Sequence, residues 1–223
     1  MDRSIGRVGA WAGIVAVMGI FGYHLGLMAI AGQRVSGTTD ASAITAYYTQ
    51  SGIAILSVEQ FVTLIPMTVF VVALRERLST TPWTRFLATI ALVAVTAEIA
   101  VLLSAVALQA ALVATARSGG ETVGLFRFWD VLYNSGAYAL EAMWVSAFGL
   151  AMRHVAGFPS WLPRFSLLAA VLLAINISAI WVGIPDVATL PSALFLAIWF
   201  VVASIGLYRA ATSAAPAIRP AVA

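Results

Sequence analysis

Six long apolar stretches, each bounded by polar or charged residues, set the pattern of this chain: 9–31, 51–74, 86–115, 128–152, 165–184 and 192–208. A helix needs about 20 mostly apolar residues to cross the hydrocarbon of a bilayer. The pattern predicts an all-α fold, a polytopic membrane bundle of six transmembrane helices in one domain over residues 1–209. A flexible cytoplasmic tail rich in alanine and proline is expected over 210–223. The first stretch ends in Ala29-Ile30-Ala31, which imitates a signal-peptide cleavage site. It is longer than a signal h-region of about 7–15 residues and carries His24, so it reads as a retained span. Between the first two spans, 32–50 predicts a short interfacial helix capped by Thr39-Asp40, with Tyr47-Tyr48 suited to the headgroup region.

Arginine orients the bundle. Arg3, Arg7, Arg75, Arg77, Arg85, Arg153, Arg164, Arg209 and Arg219 fall on the side of the N-terminus, and only Arg34, Arg117 and Arg127 on the other. The positive-inside rule therefore places both termini in the cytoplasm. Composition agrees with a multi-pass protein of a bacterial plasma membrane. The chain is 62% hydrophobic and 9% charged, whereas soluble domains are about 45–50% apolar and about 25% charged.

Several chemistries drop out with the composition. There is no cysteine, which excludes disulfide exchange, thiolate catalysis and cysteine metal sites. Every basic residue is arginine, so no lysine is present to form a Schiff base. Two histidines, His24 and His154, are too few for a histidine-rich di-iron centre. A net charge of +3 spread over span ends is no nucleic-acid signal.

Pro82-Trp83-Thr84-Arg85-Phe86 opens the third span and Pro159-Ser160-Trp161-Leu162-Pro163-Arg164-Phe165 the fifth. Two interface anchors explain this weak repeat as well as a duplicated hairpin does, and more simply. The six-span layout, the loop pattern Asp40…Ile44…Tyr47-Tyr48, the run Leu74-Arg75-Glu76-Arg77-Leu78 and Pro159…Trp161-Leu162-Pro163-Arg164 resemble a group of actinobacterial six-helix integral membrane proteins of the domain-of-unknown-function type. The resemblance implies a six-helix fold and supplies no activity.

Charged side chains inside a bilayer cost at least about 2.5–3.5 kcal/mol and mark function by default. Glu59, Glu98, Asp130 and Glu141 lie within the spans, with His24 and the neutral Gln60, Gln109, Asn134 and Asn176. No basic side chain lies deep enough to pair with the acids, so desolvation favours their neutral, proton-donating form. At 100° per residue, Asp130, Asn134 and Glu141 share one helix face, and so do Glu98 and Gln109, while Glu59 and Thr63 stack one turn apart. Counted from the outer ends of the spans, His24, Glu59, Gln109, Asn134 and Asn176 fall about 10 Å deep. Asp130 lies above that layer, and Glu98 and Glu141 below it near the midplane. The expected site is one pocket in the outer half, with Glu59, Asp130, Glu141 and His24 as acid–base residues. Asn134, Asn176, Gln109, Tyr133, Tyr138, Trp144, Trp181 and Trp199 would hold the substrate. Interhelical hydrogen bonding at about 0.6 kcal/mol each accounts equally well for Gln60, Gln109 and Asn176, and packing for the tryptophans.

Metal motifs are absent: there is no His-Glu-x-x-His and no aspartate-rich diphosphate motif. Ser135-Gly136 lacks the preceding glycine of an intramembrane serine protease. Gly19, Gly22 and Gly26 fit close helix packing. The expected function is a metal-free, cofactor-free membrane enzyme that cyclises or isomerises a lipophilic, terpenoid-like or polyketide-like small molecule by acid–base chemistry. Glu59 is the preferred donor and Asp130 the preferred base. Small integral-membrane terpene cyclases are similar in outline, with paired acids and no metal, but carry seven helices. The alternatives are a proton-coupled transporter or lipophile-binding carrier, and an accessory membrane subunit. The expected partners are the lipid bilayer and a lipophilic substrate, with oligomeric state left open.

Overall fold

The computed structural model describes residues 3–31, 40–181 and 189–212. The side chains of 23–24, 27–28, 30–31, 51–61, 179–181 and 189–193 lie outside that description. The described chain is all-helical: α1 Arg3–Ala31, α2 Ala41–Thr49, α3 Ser51–Leu78, α4 Pro82–Arg117, α5 Val123–Val131, a π-helical turn Leu132–Ala137, α6 Tyr138–Met152, α7 Leu162–Trp181 and α8 Thr189–Thr212.

Local chemistry explains where these helices begin and end. Asp40 caps α2, its carboxylate accepting from the Ser42 N–H at 3.0 Å and the Ser42 hydroxyl at 2.7 Å. The 36-residue α4 starts with Pro82 in its first turn, behind a reciprocal cap. In that cap the Thr81 hydroxyl accepts from the Thr84 N–H at 3.2 Å, and the Thr81 N–H donates to the Thr84 hydroxyl at 3.0 Å. Gly119, at φ 75°, supplies the left-handed residue that turns the chain away from the end of α4. α8 continues to Thr212, so residues 210–212 are helical where a loose tail was expected. Ala210 packs beside Gly157, whose φ of 105° and lack of a side chain permit that approach.

Among the described residues, six long rods close into a ring, with α5, the π turn and α6 forming one of them. α1 packs on α3 and α8, α3 on α4, α4 on α6, α6 on α7, and α7 on α8. Consecutive rods are neighbours, as short connections require. The start of α1 and the finish of α8 therefore share one end with most of the arginines. At the far end, α2 lies against α4 and α5. Glycines set the closest approaches. A Cβ at Gly9 would collide with Ala73, one at Gly13 with Phe70 and Ser204, one at Gly19 with Thr63, and one at Gly149 with Ser166.

Three helices contain segments long and apolar enough to cross a membrane: Arg3–Gly22, Pro82–Arg117 and Leu194–Thr212. Only 33% of the apolar windows in the first two is buried, which leaves Trp11, Met18 and Val93 facing outward. In water that surface would be costly; in lipid it is the solvent-facing side. Thr89, Thr96 and Ser104, exposed on α4, donate to carbonyls four residues back at 2.8–2.9 Å, so none presents an unpaired hydroxyl.

Candidate functional site

The half of the ring nearer the arginines is filled by aromatic side chains. Phe70, Trp144, Phe148, Trp199 and Phe200 are all buried. Trp144 meets Trp199 edge-on at a centroid distance of 5.2 Å, and Phe70 lies 5.2 Å from Phe200. Indoles can be placed here because each N–H has an acceptor. Trp199 Nε1 donates to the Ser166 hydroxyl at 2.7 Å, which in turn donates to the Leu162 carbonyl at 2.8 Å. Trp144 Nε1 donates to the Glu98 carboxylate.

That last bond joins the core to a pair of acids. Glu98 on α4 and Glu141 on α6 are both buried, and Glu141 stands one turn from the Trp144 indole that donates to Glu98. α6 therefore presents the acid and the indole on one face toward α4. The sequence marks Glu98 as a membrane acid but gives it no catalytic role. Its partnership with Glu141 depends on which rods are neighbours, and periodicity within one helix carries no such signal.

Beyond the acids the rod changes character. Asn134-Ser135-Gly136, three weak helix formers in a row, occupy the π-helical turn. Such turns are rare and recur at functional sites. The wider turn adds a residue and rotates α5 against α6 by about 100°. The common face expected for Asp130 and Glu141 assumes an unbroken α-helix. On α5 the buried positions are Phe126 and Trp129, while Asp130 is half-buried and accepts a hydrogen bond from Asn134 Nδ2 at 2.6 Å. Asn134 and Glu141 are both buried beyond the break.

An aromatic ladder follows the same rod. Tyr48 leans on Phe126 at 6.1 Å, Phe126 stacks on Trp129 at 5.9 Å, Trp129 on Tyr133 at 5.3 Å, and Tyr133 approaches Tyr138 at 6.3 Å. Tyr138 lies one turn before Glu141, so the ladder leads from the α2 cap toward the acid pair. Gln109 and Asn176 are buried on α4 and α7. Two contacts set the levels: Glu98 with Trp144 across α4 and α6, and Ser166 beside Gly149 across α6 and α7. By that register Gln109 lies near the level of Asn134, whereas Asn176 lies nearer that of Glu141.

The chain matches no family model, no curated protein and no solved structure. Its chemistry is therefore read from its own residues.

The structure thus brings Glu141 together with Trp144 and Glu98, and Tyr133 with Tyr138. It places Trp199 inside the aromatic core and Asp130 with Asn134, away from Trp199. The side chains of His24, Glu59, Gln60 and Trp181 lie outside the described residues. Among the described residues no three His, Asp or Glu side chains cluster as metal ligands would. At the ends of the bundle, two groups depart from their ordinary ionisation. The side-chain and backbone hydrogen bonds from Ser42 hold the Asp40 carboxyl below the usual carboxylate range. Burial lowers the Arg77 guanidinium, which donates to the Ala156 carbonyl at 3.3 Å and ties α3 to the loop before α7.

Proposed function

We propose that this protein is a six-span membrane enzyme with both termini in the cytoplasm, and that it rearranges a lipophilic small molecule by proton transfer. The topology follows from the arginine asymmetry and from the alternating direction of the six rods. The observation that carries the chemistry is the Glu98–Glu141 pair, buried together beneath the π turn. Two adjacent acids removed from water do not readily ionise together, so the pair retains a transferable proton beside a site for one. The neutral carboxyl donates its proton to an alkene or epoxide of the substrate. The carboxylate partner removes a proton from the resulting cationic skeleton. The product is an isomer, and the pair regains its proton count without oxidant or cofactor.

Tyr133 and Tyr138 offer π faces to the developing cation. Asn134, Gln109 and Asn176 supply amides that orient polar atoms of the substrate, and Asp130 stands on the approach from the far end. Trp144 holds Glu98 in place as a positioning residue. The aromatic core closes the arginine-rich half, so the substrate enters from the far end or from the adjoining lipid.

The test incubates membranes bearing the protein with polyprenyl and epoxide lipophiles and separates isomers of unchanged mass by chromatography. The wild type should convert one substrate class. Glu98→Gln and Glu141→Gln should each lose at least about 100-fold, the usual scale of general acid–base catalysis, while melting as the wild type does. Full conversion by either variant removes that carboxyl from the chemistry. A lipophile that copurifies unaltered, with no conversion of any candidate, establishes the carrier reading instead.

A further inference from the structure

Helices α1, α4 and α7 all begin at the arginine-rich end, and α4 and α7 open on the paired sequences Pro82-Trp83-Thr84-Arg85-Phe86 and Pro159-Ser160-Trp161-Leu162-Pro163-Arg164-Phe165. The two openings present a common surface. Trp83 and Phe86 are both exposed and stack on each other at 5.8 Å. Trp161 is exposed, its ring edge-on to Phe165 at 5.5 Å. Phe165 stacks on Phe195 of α8 at 4.9 Å, which leaves Trp161 as the outward ring on α7. Arg85 and Arg164, each in the first turn of its helix, are exposed as well. Deeper along both helices the outward face turns apolar. On α7, Leu168, Val171 and Ile175 follow Arg164 at four, seven and eleven residues, one exposed stripe. On α4, exposed Val93 stands two turns below Phe86, and Thr89 between them spends its hydroxyl on the Arg85 carbonyl at 2.8 Å.

Charge decides what such a surface takes. Among the described residues this end carries a single acid, Glu76, and Arg75 pairs with it. Arg77 is tied to the Ala156 carbonyl. The guanidinium groups of Arg85 and Arg164 meet no carboxylate among the described residues. A guanidinium fork standing where an apolar face begins suits a phosphate, which offers it two oxygens. A choline headgroup would bring one more cation to an end already rich in arginine, whereas a headgroup of net negative charge relieves it. We infer that the entrances of α4 and α7 are two seats for anionic phospholipids of the leaflet on the arginine side. Arg85 and Arg164 hold the headgroup phosphate, and Trp83 and Trp161 cover the glycerol region, the depth that tryptophan favours. The acyl chains lie along Phe86 and Val93 on one helix and along Leu168, Val171 and Ile175 on the other. The seats rest on the proposed six-span reading and not on the proton chemistry. On α1 the order is reversed: exposed Trp11 lies one turn deeper than Arg7, so its ring meets acyl chains whatever the headgroup.

Tryptophan fluorescence of the full-length chain in lipid nanodiscs tests the seats. Discs of phosphatidylcholine receive the same small fraction of either phosphatidylglycerol or phosphatidylcholine brominated along its acyl chains. Brominated phosphatidylglycerol should quench the more strongly. The excess should vanish in the Trp83→Phe, Trp161→Phe double variant, and the quenching that remains, Trp11 included, should be equal for the two lipids. Arg85→Gln with Arg164→Gln should lower the preference for phosphatidylglycerol about fivefold per seat, the effect of one arginine near an anionic membrane surface. Arg85→Lys with Arg164→Lys keeps the charge and should retain most of the preference. Arg117→Gln, at the opposite end of α4, should leave it unchanged. Equal quenching of the wild type by the two lipids overturns the seats and leaves the spans standing. A preference that survives the double glutamine variant also overturns them. If neither lipid quenches any tryptophan, the membrane reading falls together with the seats.

Discussion

The two halves of the ring are built on opposite terms. Near the arginines, α3, α6 and α8 interlock Phe70, Trp144, Phe148, Trp199 and Phe200, and both indoles donate hydrogen bonds. Toward the far end the fourth rod loosens into a π turn, a ladder of rings from Tyr48 to Tyr138 replaces the interlocked cluster, and the buried Trp129 indole and Ser135 hydroxyl lack hydrogen-bond partners among the described residues. The near half joins dense aromatic contact to two hydrogen-bonded indoles, while the buried Ser204 hydroxyl and the Arg75 and Arg77 Nε atoms there also lack hydrogen-bond partners among the described residues. The far half gives up regular helical hydrogen bonding at the π turn. The acid pair lies where the two meet, and the Trp144 indole of the aromatic half donates to Glu98.

Equivalent cuts in the two halves would break or sharpen that contrast. Trp199→Ala should cost about 3–5 kcal/mol, the scale for an emptied aromatic position; Tyr133→Ala, half-buried in the far half, should cost clearly less by thermal melting in detergent. Equal losses would erase the distinction. Gly149→Val forces α6 off Ser166 on α7 and should cost about 1–3 kcal/mol through overpacking. Thr81→Ala removes one side of the α4 cap at the arginine-rich end, for about 1 kcal/mol.

The smallest effect belongs to α2. The Asp40 carboxyl is held below the usual aspartate value of about 3.9 by Ser42, so its contribution is present above that value and is lost as pH falls through the lowered one. Hydrogen exchange of the first α2 amides should quicken in that acid window while the aromatic core stays protected. Simultaneous loss of both would show that the cap and the core unfold as one unit.

Much of this architecture is local and so was readable along the chain. Apolar runs locate the long helices because their backbone groups must be paired within the helix in lipid. Asp40 announces a cap, Pro82 a helix start, and each glutamate within a long apolar helix an energetic cost that demands a reason. Other features depend on contacts that no local pattern encodes. Ring closure between α1 and α8 brings together residues nearly two hundred positions apart. Pairing of Glu98 with Glu141 needs α4 and α6 to be neighbours in one register. The weak helix formers at 134–136 are legible in the sequence, but the π turn they occupy appears only once the rod is built. Helix periodicity fixes angles within one continuous helix; distances between helices are set by side-chain packing, and that belongs to the tertiary structure alone.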